Sequence, residues 1–326
     1  EKRPAFYEDH LGRHIISEVH HVRLTNLKPG TVYRYRLYQQ CIDDSGHSPI
    51  PLSRVTASDV YSRKPFAVRT LDKSKEEISF TMINDIHGRD SIMNAHTKDI
   101  RANKPDFVVF NGDMASFMGS IADIEKDFMT RASANFSPDF PLVYVRGNHE
   151  ARGPGYNEFM NLFPSSTGTP SYMFKHGPAA FLVLDCGEDK PDSDIEYGGT
   201  AAYDAYREQI AQWLTQTIAS EEFKTAPVKI VLMHIPFEKG QGWWGNNELK
   251  RLLLPLLNEA DVDVMFSGHN HSYSYREAGT IDGNKFPILV NSNNDRVEVK
   301  VTAKEIKMQV KDATGKTLHE KTIAVK

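Results

Sequence analysis

Apolar residues recur along this chain with two different periods, and the change between them falls near residue 70. From Tyr7 to about Thr70, short runs alternate apolar and polar positions between turn residues, which predicts strands and no helix. The clearest run follows the turn Pro29-Gly30, where Tyr33, Tyr35 and Leu37 should share one face and leave Arg34 and Arg36 to water. Leu71 to Glu77 reads as a charged linker. Beyond it strand-like and helix-like segments alternate, the order expected of an α/β domain. Strands are expected at Ile78–Ile83, Phe107–Phe110, Leu142–Val145, Ile230–Met233 and Val262–Phe266, with a hairpin joining Tyr172–Phe174 to Phe181–Leu184 across His176, Gly177 and Pro178. Helices are expected at Ser91–Asn103, Ile121–Ala134 and Glu248–Leu257, and around the stripe Tyr206, Ile210, Trp213, Leu214 and Ile218. From Val297 onward the pattern is that of three antiparallel strands turning at Asp312 to Lys316. The organisation this implies is a small all-β domain over residues 1–72 and a larger domain over 73–326.

Composition narrows the function classes. The 326 residues carry 39 Lys and Arg against 43 Asp and Glu, so there is no basic field for nucleic acid and no charged tail. A phosphate-bearing ligand would have to be held by local groups. Cys41 and Cys186 stand far apart in different expected domains, which excludes a disulfide framework and a thiolate metal cluster. No apolar stretch reaches the length of a membrane span. Glu1, Lys2, Arg3 and Pro4 do not open a signal peptide, so the numbering is expected to start inside a mature or trimmed chain.

The chemistry sits on the polar residues that end the expected strands. Asp85 and His87 follow the first, Asp113 the second, Asn148, His149 and Glu150 the third, His234 the fourth, and His269 and His271 the fifth. Ligands of α/β sheets gather at the carboxyl ends of strands, so groups scattered in sequence should converge. Any one of these residues is commonly a turn residue, a helix cap or a satisfied core histidine. Five strand ends furnished alike are a constellation. Asp, His and Asn without Cys make an oxygen and nitrogen site for borderline ions such as Mn, Fe, Zn or Co. Seven candidate ligands suit two ions sharing a carboxylate, and such pairs, about 3.5 to 4 Å apart, clamp the oxygens of an in-line displacement at phosphorus.

Asp85-x-His87, Gly112-Asp113, Gly147-Asn148-His149-Glu150, the stretch Val231-Leu232-Met233-His234 and Gly268-His269-Asn270-His271 together resemble the motif series of calcineurin-like metallophosphoesterases. The resemblance covers roughly Ile78 to Asn294 and implies a four-layer αββα sandwich with a dinuclear site at its strand ends. It places Asp85, His87 and His271 on one metal and Asn148, His234 and His269 on the other, with Asp113 bridging. It makes His149 the general acid and Glu150 its orienting partner, with attack on phosphorus by a hydroxide bridging the two ions. Leu27-Lys28-Pro29-Gly30-Thr31-Val32-Tyr33 resembles the tyrosine corner of fibronectin type III and related Ig-like sandwiches. A sandwich of that kind ahead of such a domain resembles purple acid phosphatases, and residues 1–72 are short for a complete one. Export to the periplasm or medium is expected from this resemblance alone.

Two departures from that subfamily follow. Ser116 stands where purple acid phosphatases carry the tyrosine ligand, and His87 stands where they lack a histidine. The resemblance thus implies a colourless enzyme holding two ions, Mn, Fe(II) or Zn in preference to a ferric pair. Purple acid phosphatases also place histidines after the position of His234, whereas Phe237 to Asn247 contains none. This leaves room for diesters beside monoesters. Arg89, Arg146 and Arg152 lie beside motifs and are candidate phosphate contacts, and Trp243 and Trp244, expected in a loop, are candidates for stacking on substrate. A phosphodiesterase or nucleotidase is the alternative within enzymes. An adhesion or carbohydrate-associated protein with a structural or inactive metal domain is the alternative outside them.

Overall fold

The computed structural model describes residues 4–57 and 64–325, so residues 58–63 of the expected all-β stretch lie outside the described residues. The chain divides into two compact units, Glu1–Thr70 and Leu71–Lys326.

In the first unit the described residues form three two-stranded ladders. Asp9–His10 pairs with Arg13–His14, Val32–Tyr35 with Phe66–Arg69, and Tyr38–Asp43 with Ile50–Ala57. The Tyr33 hydroxyl accepts the Lys28 N–H at 2.8 Å, closing the Pro29-Gly30 turn as the sequence anticipates. The alternation fails further on: Leu37 is exposed and Arg36 half-buried. The first strand stops at Tyr35 and the next begins at Tyr38, so the period of two is broken between them. None of the described side chains of this unit is fully buried.

The second unit is built on two six-stranded sheets. The first runs Thr317–Ala324, Glu305–Asp312, Asp295–Thr302, Glu77–Ile83, Phe107–Asn111, Leu142–Val145, and its last three strands are parallel. The second runs Tyr172–His176, Ala179–Leu184, Val228–Met233, Val264–Ser267, Ile288–Val290, Ser274–Arg276, with a parallel centre and antiparallel edges. Alternate residues of each strand serve different cores, which is what makes four layers. Phe107 and Val109 join Phe181, Val183, Ile230 and Leu232 between the sheets. Val108 and Phe110 face outward onto Met93, Ile124, Phe128 and Phe136 of helical segments. On the far side Leu182, Leu184, Val231 and Met233 pack on Ile210, Leu214, Leu249 and Leu253 of two long helices. Strands buried on both faces read as continuous apolar runs, and these do. The αββα sandwich is therefore the observed fold.

Several boundaries differ from expectation for physical reasons. The segment expected as one helix over Ser91–Asn103 is two, Asp90–Thr97 and Ile100–Asn103. Asp99 between them leaves helical geometry, at φ −106° and ψ 4°, and its side chain receives both terminal nitrogens of Arg296, at 2.5 and 2.7 Å. Ile121–Asn135 is helical throughout but carries a π-turn at Glu125–Met129. The last helix starts at Trp244, four residues before the expected Glu248, and runs through Pro255 to Glu259. The presumed linker belongs largely to the second unit: Leu71 packs on the inter-sheet core, the Asp72 N–H donates to His176 Nδ1 at 3.0 Å, and Glu77 is already in a strand. Ser274–Arg276 and Ile288–Val290 were too short to show a period.

Candidate metal centre

Every strand that precedes a candidate ligand is one of the parallel strands, and each delivers its residues from the carboxyl end. Glu77–Ile83, Phe107–Asn111 and Leu142–Val145 contribute from the first sheet, Val228–Met233 and Val264–Ser267 from the second. The loops that follow are tied together by backbone: Asp85 N–H to Gly112 carbonyl at 2.9 Å, His87 N–H to Asp113 carbonyl at 3.0 Å, and Gly268 N–H to His234 carbonyl at 2.9 Å. Five of the candidates, Asp85, His87, Asp113, His269 and His271, adopt left-handed backbone with φ between 50° and 71°. Such conformations cost non-glycine residues about 1 kcal/mol or more each and concentrate where a site over-determines the backbone. Gly112 is held at φ 85°, and a Cβ there would run into the His234 ring.

The side chains converge in three overlapping trios: Asp85, His87 and His271; His87, Asp113 and His149; Asp113, His234 and His269. Asp85 Oδ1 lies 3.2 Å from His271 Nε2 and 3.9 Å from His87 Nε2, and these two imidazole nitrogens face each other at 3.1 Å. Asp113 Oδ2 lies 3.0 Å from His234 Nε2, 3.9 Å from His149 Nε2 and 4.0 Å from His87 Nε2. His269 Nδ1 donates to Asn148 Oδ1 at 3.1 Å, which brings Asn148 into the group. Asp85 Oδ1 is buried without a hydrogen-bond partner, and the carboxylate nearest the buried His234 Nε2 is that of Asp113, which a second ligand set shares. Buried lone pairs left facing one another in this way are what a cation would satisfy, so the residues fit the metal ions their chemistry implies.

Supporting contacts set the orientation of each ring. His234 Nδ1 donates to the Asn111 carbonyl at 2.6 Å, which fixes its tautomer and aims Nε2 at Asp113. His149 Nδ1 donates to the Ser116 carbonyl at 2.7 Å. The Glu150 carboxylate, fully buried, accepts the N–H groups of Asp113, Met114 and Gly147 at 2.7 to 2.8 Å and the Tyr144 hydroxyl at 3.0 Å. It thus clamps the Asp113 loop to the Asn148 loop. Burial pulls His87 and His269 down to about 4, so both present neutral nitrogens at neutral pH. For His234 burial acts in the same sense, but the carboxylates of Asp113 and Asp85 outweigh it and push it up to about 10. Asp113, despite burial, is held well below the usual carboxylate range by His234 and His149. Glu150 moves up through burial and the charge of Asp113.

The candidate substrate contacts are placed differently. Arg89 spends its guanidinium on the carbonyls of Ile86, Asp85 and Asn293 and on Asn294 Oδ1. Arg146 pairs with Asp185 at 2.5 Å. Arg152 is gripped by Glu188 and Asp189, yet turns Nη1 to within 3.3 Å of His149 Nε2. Trp243 is exposed in the loop just ahead of the helix, as expected, whereas Trp244 is the first helical residue and its Nε1 donates to Asp204 at 2.9 Å. Glu188 and Asp189 were not anticipated from sequence. They follow the strand Ala179–Leu184, so the strand-end rule that found the other residues would have pointed to them.

A family model described as calcineurin-like phosphoesterase matches residues 78–273, more than half of the chain, and the chain belongs to that family of metal-dependent phosphoric ester hydrolases. Among its curated relatives, purple acid phosphatase 15 of Arabidopsis thaliana is 23% identical over 288 residues, covering 78% of this chain and 49% of the relative. Purple acid phosphatase 21 of the same plant is 27% identical over 276 residues, covering 78% and 53%. The chain spans about half the length of the curated relatives it matches. A purple acid phosphatase from yellow lupin seeds shares the fold, with a TM-score of 0.66 at 13% identity over 92% of this chain and 61% of that one. Among the described residues no helix is long and apolar enough to cross a membrane.

Proposed function

We propose that this chain hydrolyses phosphate esters at a pair of metal ions held by the strand-end cluster. Asp85, His87 and His271 would hold one ion and Asn148, His234 and His269 the other, with Asp113 between them. The observation that carries the reading is Asp113 Oδ2, which has His87, His149 and His234 nitrogens within 4.0 Å, so two of the trios share this carboxylate and the third joins it through His87. The all-oxygen and nitrogen donor set supports Mn, Fe or Zn. Bound there, the ions would neutralise the phosphate oxygens and acidify the attacking water.

The chain's own groups do the rest. The Ser116 carbonyl occupies the Nδ1 proton of His149 and leaves Nε2 facing Asp113, so a second proton carried at Nε2 is the one in reach of the leaving oxygen. Glu150, by holding the Asp113 and Gly147 N–H groups together, keeps that proton donor in register with the cluster. Ser116 offers no phenolate, so the loaded protein should be colourless.

A diester is favoured over a doubly charged monoester by the engagement of Arg89, Arg146 and Arg152 with partners in the chain and by the lack of histidine over Phe237 to Asn247. The β-rich first unit, with its Tyr33 corner, supports an exported fibronectin-like module, which cell fractionation would check. The deciding experiment is elemental analysis of protein purified without chelator, paired with rates on mono- and bis-aryl phosphates. About two equivalents of metal with hydrolysis that a chelator abolishes is the expected result. Less than one equivalent after reconstitution, with no hydrolysis, would overturn the reading in favour of a structural or inactive domain.

A further inference from the structure

The side of the cluster that faces His149 is built from groups that the reaction scheme leaves unused. Glu188 is fully buried, and its two oxygens take Arg152 Nε at 2.5 Å and Nη2 at 2.8 Å. Asp189 Oδ1 takes Nη2 as well, at 3.2 Å. Burial works against the charge of Arg152, but these carboxylates outweigh it and hold the guanidinium protonated. Lys190 Nζ stands 4.0 Å from Asp189 Oδ1 and is itself paired with Glu196 at 2.5 Å, so three acids face two bases, the wall carries no net positive charge, and of Arg152 only Nη1 is aimed at His149 Nε2. The segments around it carry exposed aromatic rings. Phe117 follows Ser116, whose carbonyl fixes His149, and its ring edge lies 3.0 Å from where a Cβ on Gly153 would stand. Met118 N–H bonds the Arg152 carbonyl at 2.8 Å, and Tyr156 follows on the same turn. The Gly245 N–H bonds the Asp189 carbonyl at 2.8 Å, which ties the turn carrying the exposed Trp243 to the segment of the acidic pair.

Resting on the hydrolase reading, we propose that Arg152, Glu188 and Asp189, with Phe117, Tyr156 and Trp243, form the leaving-group subsite, which accepts an uncharged aromatic alcohol and rejects an anionic one. The leaving oxygen has to lie within hydrogen-bond reach of His149 Nε2, and a group there is also within reach of Arg152 Nη1. One directed N–H can orient that oxygen. A second anionic group on the alcohol is repelled by the field of the Glu188 and Asp189 carboxylates and finds every cation of the wall already paired, while exposed rings stand on the neighbouring segments. In the step itself water adds its oxygen to phosphorus, the bond from phosphorus to the alcohol oxygen breaks, and the alcohol leaves with a proton. No further reactant is needed.

The test compares phenyl with 3-carboxyphenyl esters of phosphate and of methyl phosphate, on metal-loaded protein. The added carboxylate sits away from the reacting oxygen. Wild type should favour the uncharged ester by about tenfold in kcat/KM, the scale of one unit charge in a partly screened site. Asp189→Asn and Glu188→Gln should each narrow that ratio at least about threefold. Phe117 is exposed, so Phe117→Ala folds whatever happens to the buried variants, and it should raise KM for the phenyl esters several-fold while leaving kcat nearly unchanged. Hydrolysis of both esters with equal or reversed preference would overturn the subsite and leave the hydrolase standing. No hydrolysis of any ester by the metal-loaded protein would overturn both.

Discussion

Asp106 and Asp113 flank the same strand, Phe107–Asn111, one just before it and one just past its end. Both carboxylates are nearly buried and both titrate low, yet their surroundings give them opposite tasks. Asp106 is engaged by its fold: Lys75 bonds Oδ1, the Ser79 N–H donates to Oδ2 at 2.8 Å, and His176 Nε2 lies 3.6 Å from Oδ2. His176 accepts the Asp72 N–H on Nδ1, so its remaining proton points at Asp106. Asp113 is held instead by its backbone: its N–H is fixed by Glu150, Oδ1 takes the His149 N–H, and Oδ2 is left among imidazole nitrogens. A carboxylate whose oxygens are both bonded by the fold adds stability. One that keeps an oxygen among imidazole nitrogens adds chemistry.

The sharpest way to break this comparison is to neutralise Asp113. Asp113→Asn should lower turnover at least about a thousandfold and reduce bound metal, because the shared ligand is lost, while circular dichroism stays that of wild type. Unchanged turnover would remove Asp113 from the centre of the site. Next comes the contrast among its partners. His234 is fully buried and fixed by Asn111, whereas the His271 side chain is 48% exposed. His234→Ala should cost the metal-free protein about 1–3 kcal/mol, since it strands the Asn111 carbonyl and opens a void. His271→Ala should lie within about 0.5 kcal/mol of wild type, as surface changes do, yet still lose one equivalent of metal. Equal destabilisation of the two variants in a urea titration would erase the distinction between buried and exposed halves of the centre.

At the other end of the strand the signs reverse. Asp106→Asn should leave turnover within about twofold and lower stability by about 2 kcal/mol, the worth of its depressed titration. Loss of activity at unchanged stability would show that the two ends had been assigned the wrong way round.

The difference between the two ends was only half legible in sequence. Asp113 could be read because it shared a rule with four other strand ends, the apolar runs marked the buried strands, and the layers were implied by the family resemblance. Asp106 precedes its strand beside Pro105, and nothing local names Lys75 and His176 as partners, the latter some 70 residues away. The arginines were half legible for the same reason. Arg89 and Arg152 were legible as cations beside motifs, but the carbonyls and carboxylates that occupy them come from Asn293 and from Glu188, on other strands' loops. In the first unit the Tyr33 corner was legible because it closes within five residues, whereas the face of Leu37 depended on a strand break that no period could show. Local chemistry reads well. Pairing across the fold does not.

The smallest effect is the most specific one, the dependence of Asp106 on pH. Burial alone would raise this carboxyl, but His176, Lys75 and the Ser79 N–H overcome it and bring it down to about 2. A carboxylate whose folded value lies below its unfolded value binds fewer protons folded than unfolded in the interval between them. Its contribution is therefore complete above the unfolded value near about 4 and fades as pH falls toward about 2. The stability gap between wild type and Asp106→Asn should accordingly stay constant from about pH 7 to about pH 5 and close progressively below about pH 4. Subtracting the variant removes the titration of every other group, so the difference isolates this one carboxylate. A gap already closed at about pH 5, read by urea midpoints at each pH, would mean that Asp106 keeps an ordinary carboxylate in the fold and that the two ends of the strand are not opposites.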